Sequence, residues 1–215
     1  KGRSLSSLLR KHFVSHLQEY QERFAVKRSK VEESSDQPEI AVSVPRGFSL
    51  LATCIRSKDP DIKDTIRYAH SRGLTTRDFW YFKLGTCSRG RYRRRVIIPS
   101  FDAEGELNYL VARAIDDDTQ MKYINAKVSK KDVIFNEINI DWNKELTLVE
   151  GPFDLFKCDA NATCLLGSHF TEEYRLCQEI IRNSTPVLLA MDADAKDKEH
   201  KYAKLLTSYG ITVRI

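Results

Sequence analysis

At 215 residues, 41% of them hydrophobic, the chain can bury a core of its own, as one large domain or two small ones. Its 35 Lys and Arg against 30 Asp and Glu leave a net charge of +5, a mild excess whose meaning depends on where it is placed. No apolar run approaches the roughly 20 residues of a membrane span, no signal-peptide pattern opens the chain, and five cysteines without a CxxC pair argue against a disulfide framework or a zinc ribbon; the expectation is a cytoplasmic globular protein with reduced thiols.

In chain order, Leu5, Leu8, Leu9, Phe13, Leu17, Tyr20 and Phe24 recur at helical spacing behind serines able to cap them, which predicts an amphipathic helix within residues 1–28. Residues 29–45 lose that period and mix charge with Ser and Pro, as a linker does. Residues 46–141 read as a smaller α+β unit. In "DPDIKDTIRYAHSRG" Asp59 caps a helix, Pro60 takes its first position and Gly73 stops it; "TTRDFWYF" is a second, shorter helix. "RRVIIPSFDAEGELNYLVARAI" is two strands around the turn "DAEG", hence a hairpin. Trp80 and Trp142 sit among apolar neighbours and are expected to pack.

From residue 142 the rhythm changes. "ELTLVEG", "ATCLLGS", "TPVLLAMDADA" and "ITVRI" are strands, alternating with the helices "PFDLFKCDAN", "TEEYRLCQEIIRN" and "KDKEHKYAKLLTSYG". That alternation predicts a parallel sheet flanked by helices, the fold class being α/β. In such sheets ligands bind off the carboxyl ends of the strands, where Glu150, Asp192 and Asp194 fall, with Asp154 on the first turn of the intervening helix. Carboxylates about 4 Å apart repel by roughly 1 kcal/mol in water and roughly 4 kcal/mol at an effective dielectric of 20. A hard divalent cation, Mg²⁺ first, offsets that repulsion and takes oxygen ligands of this kind. Taken singly, Glu150-Gly151-Pro152 is also an ordinary strand-to-helix turn, and Asp192 and Asp194 a solvated strand end.

The basic run Arg89, Arg91, Arg93, Arg94 and Arg95, interrupted by Tyr92, reads either as a solvated strand end or as a track for nucleic-acid phosphates.

"LVEGPFD" followed by "LLAMDADA" resembles the Glu-Gly…Asp and Asp-x-Asp signature of the TOPRIM domain, and "RRVIIPSFDAEGELNYLVARAI" with "MKYIN" resembles the hairpin and Lys-Tyr-hydrophobic-Asn segment of bacterial-type and phage DNA primases. The resemblance covers residues 91–215. It implies a TOPRIM-type sheet over residues 142–215, with Glu150, Asp192 and Asp194 as catalytic ligands of one or two Mg²⁺ or Mn²⁺ ions and Asp154 in support. Bacterial primases continue their Asp-x-Asp with Ala-Gly, whereas this chain reads "DADAKDK", which makes Asp197 a further metal-ligand candidate. The resemblance also implies that Arg95, Arg113, Lys122 and Asn125, with Arg91, Arg93 and Arg94, hold nucleotide or template. The activity expected is template-directed synthesis of short RNA primers on single-stranded DNA from ribonucleoside triphosphates, beside a replicative helicase, in the host cytoplasm if phage-encoded. Zinc is expected only in a ribbon domain outside this stretch. Lys1 in place of Met, and a final strand that stops at Ile215, suggest a piece of a longer protein. The rival readings are a TOPRIM nuclease, a topoisomerase-related enzyme, or a nucleic-acid-binding module whose acidic edge is only structural.

Overall fold

The computed structural model describes residues 42–158, 161–167 and 170–215, so the expected N-terminal helix and most of the expected linker lie outside the described residues. Two sheets divide the chain. The first is antiparallel, with strands β1 (Phe48–Leu50), β2 (Gly85–Cys87), β3 (Arg95–Phe101), β4 (Leu107–Ala114) and β5 (Tyr123–Asn125) side by side in sequence order. The second has β6 (Leu146–Val149), β7 (Ala162–Cys164), β8 (Val187–Leu189) and β9 (Val213–Arg214), all parallel, in the order β7-β6-β8-β9. This is the expected mixed α/β architecture, a parallel sheet flanked by helices behind an antiparallel one, though the antiparallel sheet is the larger by one strand.

Local chemistry accounts for the helices. Asp59 accepts from the backbone N–H groups of Asp61 and Ile62 at the start of α1 (Pro60–Ser71), and Gly73 beyond its end sits at φ +85°. The next helix, α2 (Thr76–Tyr81), opens on a capping box between Thr75 and Asp78. In the second half, α3 (Pro152–Leu155) starts on Pro152, and α4 (Arg175–Asn183) and α5 (Lys196–Thr207) return the chain to β8 and β9. Gly85 is demanded by packing: a Cβ there would stand 2.1 Å from the Phe48 ring, because β1 lies against β2 with Leu50 opposite Gly85.

One apolar cluster joins the two halves. Val96, Ile98, Tyr109 and Val111 on one face of the first sheet pack with Val149, Phe153, Leu155, Ala162 and Cys164 of the second half. A second cluster lies on the far side of the parallel sheet, where Leu146, Leu148 and Leu189 meet Cys177, Ile180, Tyr202 and Leu206 from α4 and α5. Trp142 packs beside that cluster as expected. Trp80 does not: it is 49% exposed, because on the short α2 it is Phe79 that turns into the core.

A half-buried ion pair reinforces the junction. Arg175 at the start of α4 donates to both oxygens of Glu137, at 2.9 and 2.6 Å, and Glu137 is only 5% exposed. Burial raises the Glu137 pKa, against the pull of Arg175. Removing one partner of such a pair strands the other charge. Arg175→Met should therefore lower stability by about 2 kcal/mol at neutral pH, between the exposed and the buried case, and adding Glu137→Gln should recover part of it. A carboxyl whose folded pKa lies above its unfolded value favours folding while protonated and loses that benefit as pH rises through the folded pKa. The Arg175→Met deficit should accordingly shrink as pH falls toward the carboxyl range, which urea denaturation at several pH values would measure.

Candidate active site

The period-2 alternation of β6 decides where Glu150 points. Leu146 and Leu148 face the cluster under α4 and α5 while Val149 faces the first sheet, so Glu150, continuing the even positions, turns toward α5. There it shares a small depression with Leu165, Gly167, Met191, Lys198 and Tyr202. Glu150 Oε1 is buried and accepts no hydrogen bond; Lys198 Nζ lies 3.9 Å away, an ion pair beyond hydrogen-bonding reach. Asp192 and Asp194 follow β8, the neighbour of β6, and both stand at the surface beyond it. The backbone oxygen of Asp192 accepts from Ala195 N–H at 2.8 Å, closing the turn into α5. Asp154 lies in the first turn of α3, 3.8 Å from Lys157 Nζ, and Asp197 in the first turn of α5, where a carboxylate suits the helix dipole.

The acidic residues thus share one edge of the sheet, but among the described residues no group of three or more Asp, Glu, His or Cys side chains is close enough to hold a metal ion. Their chemistry fits a hard cation all the same, since the donors are all carboxylate oxygens and one of them, Glu150 Oε1, is a buried acceptor without a donor. Gly151 has an extended φ of −136°, and an added Cβ would meet only Asp154 Oδ2 at 3.5 Å. The fold does not require glycine there; its absent side chain leaves the edge uncovered.

The basic residues are distributed differently from the sequence expectation. Arg94 takes a left-handed backbone (φ +52°) and donates to Asp61, Asp64 and Asp116 at 2.7–3.0 Å. Arg93 pairs with Asp61 as well. The Arg93 and Arg94 guanidinium groups hold the Asp61 carboxyl below its ordinary range, and Arg94 does the same to Asp116. Arg95 is 7% exposed and donates to the backbone oxygens of Met121 and Arg91 at 2.8 and 3.2 Å, pinning the loop that carries Lys122. A continuous basic track is therefore not formed by the run: Arg89 and Arg91 are exposed, whereas Arg93 to Arg95 are engaged within the protein.

Register splits the expected clamp further. Arg113 stands opposite Tyr123, and Val111 opposite Asn125, so these side chains share the face that Val96 and Val111 turn toward the second sheet. Arg95 stands opposite Ala114, on the other face with Ile97, Ala112 and Ile124. Arg113 is held over the Tyr123 ring, 4.8 Å from its centroid, and donates to Tyr68 Oη at 3.2 Å. Lys122, just before β5, and Tyr123 and Asn125 within it are exposed, and β5 is an edge strand. Tyr123 lies within the "MKYIN" segment, but nothing in the sequence around Tyr68 marks it as a site residue; register places the Tyr123 ring opposite Arg113, and the packing of α1 brings Tyr68 to it.

No protein-family model matches the chain, and no curated protein sequence does. Solved structures do. The catalytic domain of a DnaG primase bound to single-stranded DNA superposes with a TM-score of 0.55 at 19% identity, over 72% of this chain and 66% of that one. The RNA polymerase domain of Mycobacterium tuberculosis primase DnaG gives 0.58 at 16% identity, over 75% and 69%. This chain has the fold of a DnaG primase catalytic core. Against the Aquifex aeolicus primase, solved with its zinc-binding and RNA polymerase domains, the TM-score is 0.52 at 20% identity, over 93% of this chain and 62% of that one. The chain thus spans about two thirds of the primase structures it matches, and no helix among the described residues is long and apolar enough to cross a membrane.

The division between free and engaged cations is measurable. Replacing Arg91 and Lys122 together by Ala should lower the salt slope of single-stranded DNA binding by about 0.7 for each phosphate left without its cation. Arg94→Ala should leave the slope unchanged and reduce stability by about 1–2 kcal/mol, because it releases three carboxylates from one guanidinium. Fluorescence-anisotropy titrations over a salt series, with denaturation curves for the same variants, would check both.

Proposed function

We propose that this chain is the catalytic core of a DNA primase, joining ribonucleotides on a single-stranded DNA template. The observation that carries the proposal is the placement of Glu150 at the end of β6 and of Asp192 and Asp194 beyond the adjacent β8, in a chain with the primase core fold. DNA-bound neighbours, one with single-stranded DNA and one with a duplex carrying a six-nucleotide overhang, support the template class.

Each residue then has a physical role. Glu150, Asp192 and Asp194 would hold Mg²⁺ or Mn²⁺, with Asp154 in the first turn of α3 and Asp197 in the first turn of α5 as supporting candidates; the bound ion would supply charge relief for nucleotidyl transfer. Arg113 is only 8% exposed and restrained by Tyr68 and Tyr123, so its preorganised guanidinium would serve triphosphate oxygens that reach in past the Tyr123 ring. Lys122 and Arg91, exposed and unpaired with any carboxylate among the described residues, are suited to phosphates of the template or the incoming nucleotide. Asn125, on the same face of β5 as Tyr123, offers neutral hydrogen bonds beside them. Arg95 acts at one remove, by fixing the Met121 carbonyl and so the start of β5.

The test is synthesis of labelled oligoribonucleotides on single-stranded DNA, with and without Mg²⁺. Metal-dependent product is expected from the wild type, and Asp192→Asn should lower it by at least about 100-fold while leaving the fold intact, because the change neutralises a carboxylate at nearly constant volume. Near-normal synthesis by that variant would falsify the role of Asp192. DNA binding without any nucleotide addition, indifferent to Mg²⁺, would make the chain a binding module instead.

A further inference from the structure

The turn after Asp194 leads into α5, and that helix brings a lysine back to the acidic edge. Lys198 Nζ stands 3.9 Å from Glu150 Oε1, and among the described residues it is the one cation paired with Glu150. The Lys198 side chain is 56% exposed and that of Glu150 is 22% exposed, so the lysine reaches in from solvent toward a carboxylate already withdrawn from it. No hydrogen bond fixes the pair, since a charge-assisted N–H···O contact closes to about 2.7–2.9 Å. Glu150 Oε1 therefore keeps its acceptor capacity unused while its charge is partly balanced from a distance. An ammonium on a flexible four-carbon stem is the kind of group that can do this and still leave.

We propose that Lys198 is the resident counter-ion of Glu150, occupying the place of a divalent cation and weakening that cation's binding until the cation displaces it. The inference rests on the reading of Glu150, Asp192 and Asp194 as a cation-binding edge. Two positive charges cannot both approach one carboxylate oxygen without repelling each other, so cation binding must work against Lys198 or push it outward. The lysine in turn lowers the mutual repulsion of the acidic residues when no ion is bound. The edge would thereby be stabilised empty and would require a higher cation concentration to fill.

A purely structural ion pair would affect folding and leave cation affinity alone, and that difference is what the experiment reads. Mn²⁺ binding to the full chain, followed by the loss of the free-ion EPR signal, is compared for wild type, Lys198→Gln and Lys198→Arg. Lys198→Gln should bind Mn²⁺ about three- to tenfold more tightly at low ionic strength, and Lys198→Arg should stay near wild type. The difference should narrow as salt is raised, because the pair is open to solvent and screened. Asp192→Asn should weaken Mn²⁺ binding in both the wild-type and the Lys198→Gln background. Equal Mn²⁺ affinity for wild type and Lys198→Gln, with Asp192→Asn weakening both, would overturn the counter-ion role while leaving the cation-binding edge in place. No Mn²⁺ binding by either protein would overturn the edge itself, and the counter-ion with it.

Discussion

The apolar contact between the two sheets is the constraint on which the site depends. Val149 belongs to the cluster that contains Val96, Ile98, Tyr109 and Val111, so the last residue of β6 is fixed against the first sheet. Period 2 then leaves Glu150 no choice of direction: it must face α5, since Val149 faces the other way. The same contact orients the first sheet so that Arg113, Tyr123 and Asn125 share the side facing the second half. Close-packed interiors transmit such placement because neighbouring side chains have little room to yield. The acidic edge and the Arg113 face are therefore set by one packing event.

Charge is organised around that core rather than by sequence neighbourhood. The net charge of +5 is a mild excess that says nothing of where the cations sit. In the fold, Arg93 and Arg94 meet Asp61, Asp64 and Asp116, and Arg175 meets Glu137. These pairs tie α1 to the start of the hairpin and α4 to the segment between the sheets. The Arg94 cluster is partly open to water and gives local order at modest energy, whereas in the Arg175–Glu137 pair only the carboxylate is buried, and the pair matters chiefly because Glu137 cannot be left alone. Cations not used in this way, such as Arg91 and Lys122, are then the ones available to a polyanion.

Much of this was legible in the amino-acid sequence, because the relevant signals are local. Asp59-Pro60, the Thr75–Asp78 box, the "DAEG" turn and the strand–helix alternation after residue 142 each act within a few residues, and the elements form in the expected order, although α3 stops at Leu155 and β8 spans only Val187–Leu189. The acidic edge followed from the rule that parallel strands end on one side. What escaped is long-range or short. Strands β1, β2 and β5 have three residues each, too few for a period, and exist because partners elsewhere in the chain complete their hydrogen bonds. Arg94 finds Asp61 33 residues away, and no composition rule pairs them. Register alone separates Arg95 from Arg113: Arg113 pairs with Val96, the neighbour of Arg95, and successive residues along a strand face opposite sides.

The backbone at the end of β7 links the two halves once more. Leu166 and Gly167 both have positive φ, +55° and +65°, and for leucine that conformation needs support from its surroundings. The support comes from both sides: Gly167 N–H donates to the Glu150 carbonyl at 3.2 Å, and Lys130 Nζ donates to the Leu166 carbonyl at 2.8 Å. Lys130 belongs to the segment between the sheets, while Glu150 follows β6 in the middle of the parallel sheet. The turn is therefore held from the first half through a side chain and from the second through the main chain. A displacement of either sheet would move it, and with it one wall of the depression around Glu150. The wall of the depression beside Glu150 is thus built from the parallel sheet and the segment leading from β5 together.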